Sequence, residues 1–348
     1  MFMKWSVRTW LSLVTFGVIV LLLYATRDEL FQAWELLKKV DWRILVLMLP
    51  LTFLNYYAVG EMFFSYLRRQ GRLHETSVLD QLRVSLEVNF VNHALPSGGA
   101  SGASYATWRL VQLGFSPGKA AMAQVIRFAA GFAAFAALLL VAVLAITADG
   151  EINRVVILIS SGLISLMIAT VAASMYFLTN KRRIDQAAHI IAGTVNALAR
   201  WVTFGRRVHV VRIGAVNDLL TEVHEDVLAL RHDPSALLRP IIWGLVFIAS
   251  DVLLFFVAFW ALGAIVNPAS ILLAYGMATI AGFLVVTPGG SGAYEALMVG
   301  FLAFAGLNQG TAVAGVVLAR VIILLVILVV GYVSYQHALL KYGKENRP

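Results

Sequence analysis

Long apolar runs separated by short charged segments dominate the chain. Because about 20 apolar residues are needed to cross roughly 30 Å of hydrocarbon, each long run predicts a membrane-spanning helix. The predicted spans are 10–26, 44–67, 120–147, 155–179, 241–263 and 312–336. No small-x-small cleavage site precedes Arg27, so we interpret the first run as a retained anchor and not a cleaved leader. The pattern predicts an all-α, polytopic membrane protein, with residues 1–348 forming a single transmembrane domain.

The longest polar segment, residues 181–239, opens with Lys181, Arg182 and Arg183. Apolar residues recur in it at helical spacing and predict two amphipathic helices lying on the membrane surface, with the stripes Ile184, Ala188, Ile191, Val195, Leu198 and Val216, Leu219, Leu220, Val223, Val227, Leu230. Its basic residues predict a cytoplasmic insertion, which is either a linker or a regulatory, lipid-sensing element. By the same tendency we expect a multi-pass protein of the cytoplasmic (inner) membrane with both termini in the cytoplasm.

Two segments, 89–108 and 283–297, do not fit simple spanning helices. Each carries a proline and a glycine pair inside an otherwise apolar or helical pattern, which ends one helix and lets another begin in a new direction. Each segment therefore predicts a broken, re-entrant helix with a Pro-Gly-Gly interruption.

The two interruptions repeat at a fixed offset. Pairs 192 residues apart are Pro96 and Pro288, Gly98 and Gly290, Gly114 and Gly306, Gly118 and Gly310, and Ala120 and Ala312. The repeat cores are predicted at 68–147 and 269–340, and the charge pattern has the chain enter them from opposite faces. Such inverted-topology repeats are typical of transporters, whose sites lie near the bilayer midplane at discontinuous helices.

Broken helices offer a specific chemistry, since the freed amides and the positive dipole end of a short helix favour an anion. Charged residues within apolar runs are costly and become functional candidates, here Arg127, Arg320, Glu295, Glu61, Glu87, Arg109 and Asp251. The alternative is a structural ion pair of Glu295 with Arg320 or Arg127. The predicted substrate-binding residues are Asn92, Pro96, Ser97, Gly98, Gly99, Ser101, Arg109 and Arg127 in the first repeat and Pro288, Gly289, Gly290, Ser291, Glu295 and Arg320 in the second.

Composition narrows the function classes. The chain is 60% hydrophobic and 13% charged, with a mean hydropathy of +0.82, which excludes a water-soluble fold. Its net charge of +8 is better explained by the membrane surface than by nucleic acid. Cysteine is absent and the seven histidines are scattered, so we expect no disulfide, metal site or cofactor, and we find no catalytic constellation.

The motifs themselves resemble a known family. Asn92 to Gly99 with Gly114 to Ser116, and Thr287 to Glu295 with Gly306, Leu307 and Arg320, resemble the transmembrane region of lysylphosphatidylglycerol synthases and its stand-alone flippase-like relatives, over roughly residues 11–340. The resemblance implies a helical domain that moves a polar or charged lipid between leaflets. Many relatives carry a Gly-Glu and a nearby arginine in the first motif, whereas this chain has Ser101 and Gly102, which argues against a cationic, aminoacylated substrate. Since no soluble aminoacyl-transfer domain precedes the end at Pro348, we do not expect lysyl transfer.

Three function classes follow. The leading hypothesis is a lipid translocase with phospholipids or other polar lipids as substrates, driven by a gradient or a partner because no GxxxxGKS nucleotide motif is present. The alternatives are an integral-membrane enzyme that modifies lipid headgroups and a non-transporting scaffold. The candidate protein partners are a second copy of the chain and an envelope enzyme; nucleic acid is not expected.

Overall fold

The structure is a computed structural model that describes residues 24, 27–69, 71, 76–95, 99–148, 154–202, 212–284 and 292–342. Throughout these ranges the regular structure is helical, without a strand, so the predicted all-α class is confirmed. The predicted first span, 10–26, lies almost entirely outside them.

The helices follow the chain in simple order. They are α1 (Arg27–Leu37), α2 (Trp42–Leu45), α3 (Met48–Arg69), α4 (Val78–Ala94), α5 (Ala100–Gln112), α6 (Pro117–Ala148), α7 (Arg154–Leu178), α8 (Lys181–Val202), α9 (Ile213–His232), α10 (Leu238–Ala261), α11 (Pro268–Leu284), α12 (Ala293–Phe304), α13 (Gln309–Val326) and α14 (Tyr332–Tyr342). A 3₁₀ turn, Pro234–Leu237, precedes α10, and a π-helical turn, Ile327–Gly331, joins α13 to α14.

Five helical stretches are long and apolar enough to cross a membrane: Trp42–Arg69, Pro117–Leu144, Ile157–Leu178, Pro234–Ala261 and Gln309–Tyr342. Each coincides with a predicted span, so a multi-pass membrane protein is confirmed. The predicted helix 44–67 is interrupted at Val46 and Leu47, where the chain turns between α2 and α3. Shorter apolar helices are Pro268–Thr279 and Ala293–Phe304.

The chain contains two runs of four helices in the same order. Helices α3 to α6 correspond to α10 to α13, and corresponding helices start 190, 190, 193 and 192 residues apart. In both runs a glycine with left-handed φ ends the short helix, Gly114 at 90° and Gly306 at 94°. We call residues 48–148 the first half and residues 238–326 the second half.

The first helices of the two halves, α3 and α10, pack against each other. The side-chain amide of Asn55 donates to the backbone oxygen of Phe247 at 3.1 Å, and these two residues are themselves 192 apart. This hydrogen bond therefore joins two residues that are equivalent under the 192-residue offset of the sequence repeat. The opposite orientation of the halves in the membrane stays a prediction.

The insertion is joined to the first half by packing. Val223, Val227 and Leu230 of α9 are buried in the cluster that contains Phe115, Met122 and Ile126. In α8 the buried line is Ile184, Ala188 and Ala192, whereas Ile191 and Val195 of the predicted stripe are 42% and 39% exposed. Ile184 and Ala188 of the predicted stripe therefore pack against the protein, and the arrangement of α8 on the membrane surface stays a prediction.

Candidate functional site

The start of α5 brings three predicted site residues together. Gly99 has a φ of 91°, a left-handed conformation that turns the chain from α4 into α5. The Asn92 side-chain oxygen accepts the backbone N–H of Gly102 at 2.8 Å, and Ser101 Oγ donates to the Val91 carbonyl at 3.3 Å. From the sequence, the amides at the start of this helix were expected to be free to bind an anion. The Gly102 amide instead donates to the side chain of Asn92.

At the start of α12 a side chain also accepts a hydrogen bond from a backbone amide. Glu295 accepts the backbone N–H of Gly292 at 2.6 Å through one oxygen and the Nε of Arg320 at 2.7 Å through the other. The Arg320 guanidinium also lies 4.4 Å from the Tyr294 ring centre. With side chains 12% and 18% exposed, Glu295 and Arg320 form a largely buried ion pair. The ion pair of Glu295 with Arg320 that the sequence allowed is therefore present and does not include Arg127, while a binding role for the two residues stays a prediction.

Arg109 is held in a second ion pair, within the first half. Its Nε donates to Glu87 Oε2 at 3.0 Å, and the hydroxyl of Tyr105 donates to the same oxygen at 3.1 Å. The guanidinium lies 4.2 Å from the ring centre of Tyr342 in α14. Arg109 therefore connects α4, α5 and α14.

The remaining embedded carboxylates also have partners. Glu61 pairs with Arg68. Asp251, in the middle of α10, accepts hydrogen bonds from the Tyr275 hydroxyl at 2.7 Å and from Asn55 at 3.0 Å. Asp251 thus joins α3, α10 and α11 where the two halves meet.

Arg127 differs from the other embedded charges. Among the described residues it makes no ion pair; its contacts are a long hydrogen bond of 3.5 Å to Gln124 Oε1 and the Phe128 ring, whose centre is 5.0 Å away. A guanidinium carries five N–H donors, so most of its capacity is unused by these contacts. Arg127 is therefore the candidate residue to bind a negatively charged ligand.

The Arg127 side chain lines a cavity of about 420 Å³ between the two halves and α7. We call it the Arg127 cavity. Its walls are mainly apolar, with residues from α3, α4 and α6 on one side and from α10 and α11 on the other. Its other polar members are Asn89, Thr170, Tyr275 and Thr279.

Those polar members already have hydrogen-bond partners. The hydroxyls of Thr170 and Thr279 donate to carbonyls one turn earlier at 2.8 and 2.7 Å, and the Asn89 amide donates to the Ser85 carbonyl at 2.9 Å. Tyr275 donates to Asp251, as described above. The cavity consequently presents one strong unmet donor group, the Arg127 guanidinium, inside apolar walls.

The sequence predicted a midplane cavity at the two broken helices with Arg127 among its residues, but it did not identify the other residues that line the Arg127 cavity. Asn89 lies within the first interrupted segment and could have been selected, whereas Tyr275 and Thr279 belong to an apolar helix whose neighbours no local pattern reveals. Seven predicted site residues, Pro96, Ser97, Gly98, Pro288, Gly289, Gly290 and Ser291, lie outside the described residues. In the part that the structure describes, no three His, Asp or Glu side chains group as metal ligands would.

These features define a polytopic helical membrane protein in which two runs of four helices, in the same order along the chain, flank a cavity that contains Arg127. Comparison with known families identifies the family to which the chain belongs. It belongs to the family described as the lysylphosphatidylglycerol synthase TM region, whose profile matches residues 9–331 and thus confirms the resemblance inferred from the motifs. A search of curated proteins finds no match.

Proposed function

We propose that the protein moves an anionic or otherwise polar lipid between leaflets, with the headgroup passing through the Arg127 cavity. The observation that carries this proposal is the unpaired Arg127 among hydrogen-bonded neighbours in that cavity. Placing an arginine in the hydrocarbon region costs about 2.5–3.5 kcal/mol on insertion scales. A bound phosphate would offset that cost, since guanidinium and phosphate form two parallel hydrogen bonds.

Arg127 is the one charged residue in the described lining of the cavity, and it favours an anionic headgroup. Arg320 is neutralised by Glu295 and Arg109 by Glu87, which leaves Arg127 as the charge offered to a ligand. A cavity of about 420 Å³ has the volume of roughly a dozen water molecules, enough for a phosphate and a small polar group. A cationic, aminoacylated headgroup finds no free carboxylate among the described cavity residues.

Exchange between leaflets follows from motion of the two halves. When the cavity opens to one leaflet, Arg127 draws the phosphate from the interface. Rocking of the halves about the α3–α10 contact then exposes the same headgroup to the other leaflet, as in transporters built from repeats. A gradient of lipid or ions, or a partner protein, supplies the direction.

The test is an exchange assay in vesicles. Purified protein is reconstituted with headgroup-labelled fluorescent phosphatidylglycerol, and loss of protection from an external quencher is followed. Arg127→Gln should slow exchange about tenfold or more, the equivalent of losing one charged hydrogen bond of 1.5–3 kcal/mol. The matched control is Arg83→Gln, which removes the same charge from the exposed side of α4.

Each alternative has its own outcome. Equal exchange in wild type and Arg127→Gln would reject the Arg127 cavity as the route. Exchange no faster than in empty vesicles, for every lipid tested, would favour a scaffold. A converted headgroup, detected by lipid mass spectrometry, would favour an enzyme.

A further inference from the structure

A second cavity, of about 730 Å³, lies between α6, α7 and α9. Its walls are formed by residues such as Met122 and Ile126 of α6, Phe177 of α7, and Val227 and Leu230 of α9. We call it the α6–α7 cavity. Unlike the Arg127 cavity, it contains no charged residue in its described lining.

The two hydroxyl groups in the α6–α7 cavity are already satisfied. Thr170 donates to the Leu166 carbonyl at 2.8 Å, and Ser174 donates to the Thr170 carbonyl at 2.8 Å. Water in a cavity needs two to four polar partners, and cavities without them stay dry and bind apolar ligands. The ligand that fits this space is therefore a hydrocarbon chain.

The two cavities are neighbours with a common wall. Phe128, Phe132 and Thr170 line both of them. The Arg127 guanidinium stands 5.0 Å from the ring centre of Phe128, so an anion held by Arg127 lies next to the hydrocarbon space. The two cavities therefore adjoin at these three residues, and a molecule whose head lies beside Arg127 reaches the α6–α7 cavity if its chain passes over them.

The dimensions suit a segment of an acyl chain. From Thr170 to Leu178 the α7 wall spans nine residues, which are eight steps of about 1.5 Å, or about 12 Å in all. Val227 and Leu230 bring α9 of the insertion into the wall. Because Glu222 accepts a hydrogen bond from Ser116 Oγ at the start of α6, α9 is fixed relative to that wall.

We propose that the α6–α7 cavity binds one acyl chain of the lipid whose phosphate is held by Arg127. This proposal rests on the proposed function, and it narrows the substrate to an anionic amphiphile recognised at both ends. The insertion then forms part of the lipid site through α9.

The experiment uses the full-length protein in vesicles that contain phosphatidylglycerol with a diazirine at the end of one acyl chain. After illumination, crosslinks are mapped by peptide mass spectrometry. We expect labelling of Val125 and Met175, which line the cavity and are partly buried, so that a chain inside the cavity reaches them. Ile168, which is 61% exposed on α7 and outside both linings, reports the surrounding lipid.

Variants separate a specific site from general lipid contact. Ala173→Trp, which fills the cavity from α7, should lower labelling of Val125 and Met175 about tenfold, and so should Ala129→Phe from the α6 wall. Ala172→Trp places the same side chain on the neighbouring exposed position outside the lining and should leave labelling unchanged. Arg127→Gln should lower labelling of Val125 and Met175 and spare Ile168.

The outcomes distinguish this proposal from the proposed function. If both filling variants leave the labelling and the exchange rate unchanged while Arg127→Gln stops exchange, the acyl site is rejected and the translocase proposal stands. Labelling of Val125 and Met175 that does not depend on Arg127 would also reject a single ligand spanning both cavities. If Arg127→Gln leaves exchange unchanged, the proposed function itself fails.

Discussion

At the residue scale, Arg127 and Arg320 hold almost equivalent positions in the two halves but meet different surroundings. With the offset of 192, they are one residue out of register. Arg320 pairs with Glu295, whereas the residue that corresponds to Glu295 in the first half is Ala103. Arg127 therefore has no equivalent carboxylate to pair with, and it lines the cavity instead. This substitution of a carboxylate by alanine separates an arginine held in an ion pair from a candidate binding arginine.

Removing one partner of the Glu295–Arg320 pair should lower the free energy of unfolding more than removing both partners. Glu295→Gln leaves a largely buried guanidinium without its counter-charge, and we expect a loss of about 3–5 kcal/mol. Replacing both partners, as Glu295→Gln with Arg320→Met, should cost less than either single change. The free energy of unfolding of the detergent-solubilised variants measures this. Additive losses in the double variant would contradict a coupled pair.

At the element scale, α9 is a polar helix held against the first half by both apolar and polar contacts. Its Asp226 carboxylate accepts a hydrogen bond from the Tyr66 hydroxyl at 3.3 Å. Partial burial raises the pKa of Asp226 above its ordinary value, and the nearby carboxylates Glu222 and Glu225 act in the same direction. Lys119 and the Tyr66 hydrogen bond oppose them. Docking of α9 should therefore depend on pH.

The sign of this dependence follows from the raised pKa of Asp226. Its contribution is fully present below the ordinary pKa of aspartate, near 3.9, and is lost as the pH rises through the higher folded-state pKa. Asp226→Asn should therefore be the more stable protein at pH 7, by less than about 1 kcal/mol because the site is half exposed and screened. Thermal unfolding between pH 4 and 8 gives the difference. Asp185→Asn, on the exposed side of α8, serves as the control, and a constant gap between wild type and Asp226→Asn across this range would contradict the assignment.

The sequence predicted where the long helices begin and end, but it did not predict which residues of other helices they contact. The helices α6, α7 and α10 start and end within a few residues of the predicted spans, because bilayer thickness sets their length. The glycine turns at Gly114 and Gly306 were also visible, since they repeat. Which face of α8 packs, and which carboxylate neutralises which arginine, depends on helix rotation and on distant elements. No local sequence pattern indicates these contacts.

At the scale of the whole molecule, the central feature is the contact between two related halves. Asn55 donates to Phe247 and to Asp251, so one side chain joins α3 to α10. Gly244 of α10 packs so closely on α6 that a Cβ there would lie 3.0 Å from the Cβ of Ala134. The halves are therefore in direct contact beside the Arg127 cavity, and any motion that opens the cavity must change this contact.

That close approach allows the motion to be tested in a chain that has no cysteine of its own. Disulfides need Cβ atoms about 3.5–4.5 Å apart, so Ala134→Cys with Gly244→Cys should crosslink on oxidation after a small adjustment. If the halves rock during exchange, the crosslink should abolish it and a reductant should restore it. Gly244→Cys alone, treated with the same oxidant, accounts for strain from the added side chain. Full exchange by the crosslinked protein would show that lipids cross without relative motion at this contact, and alternating access would have to be abandoned.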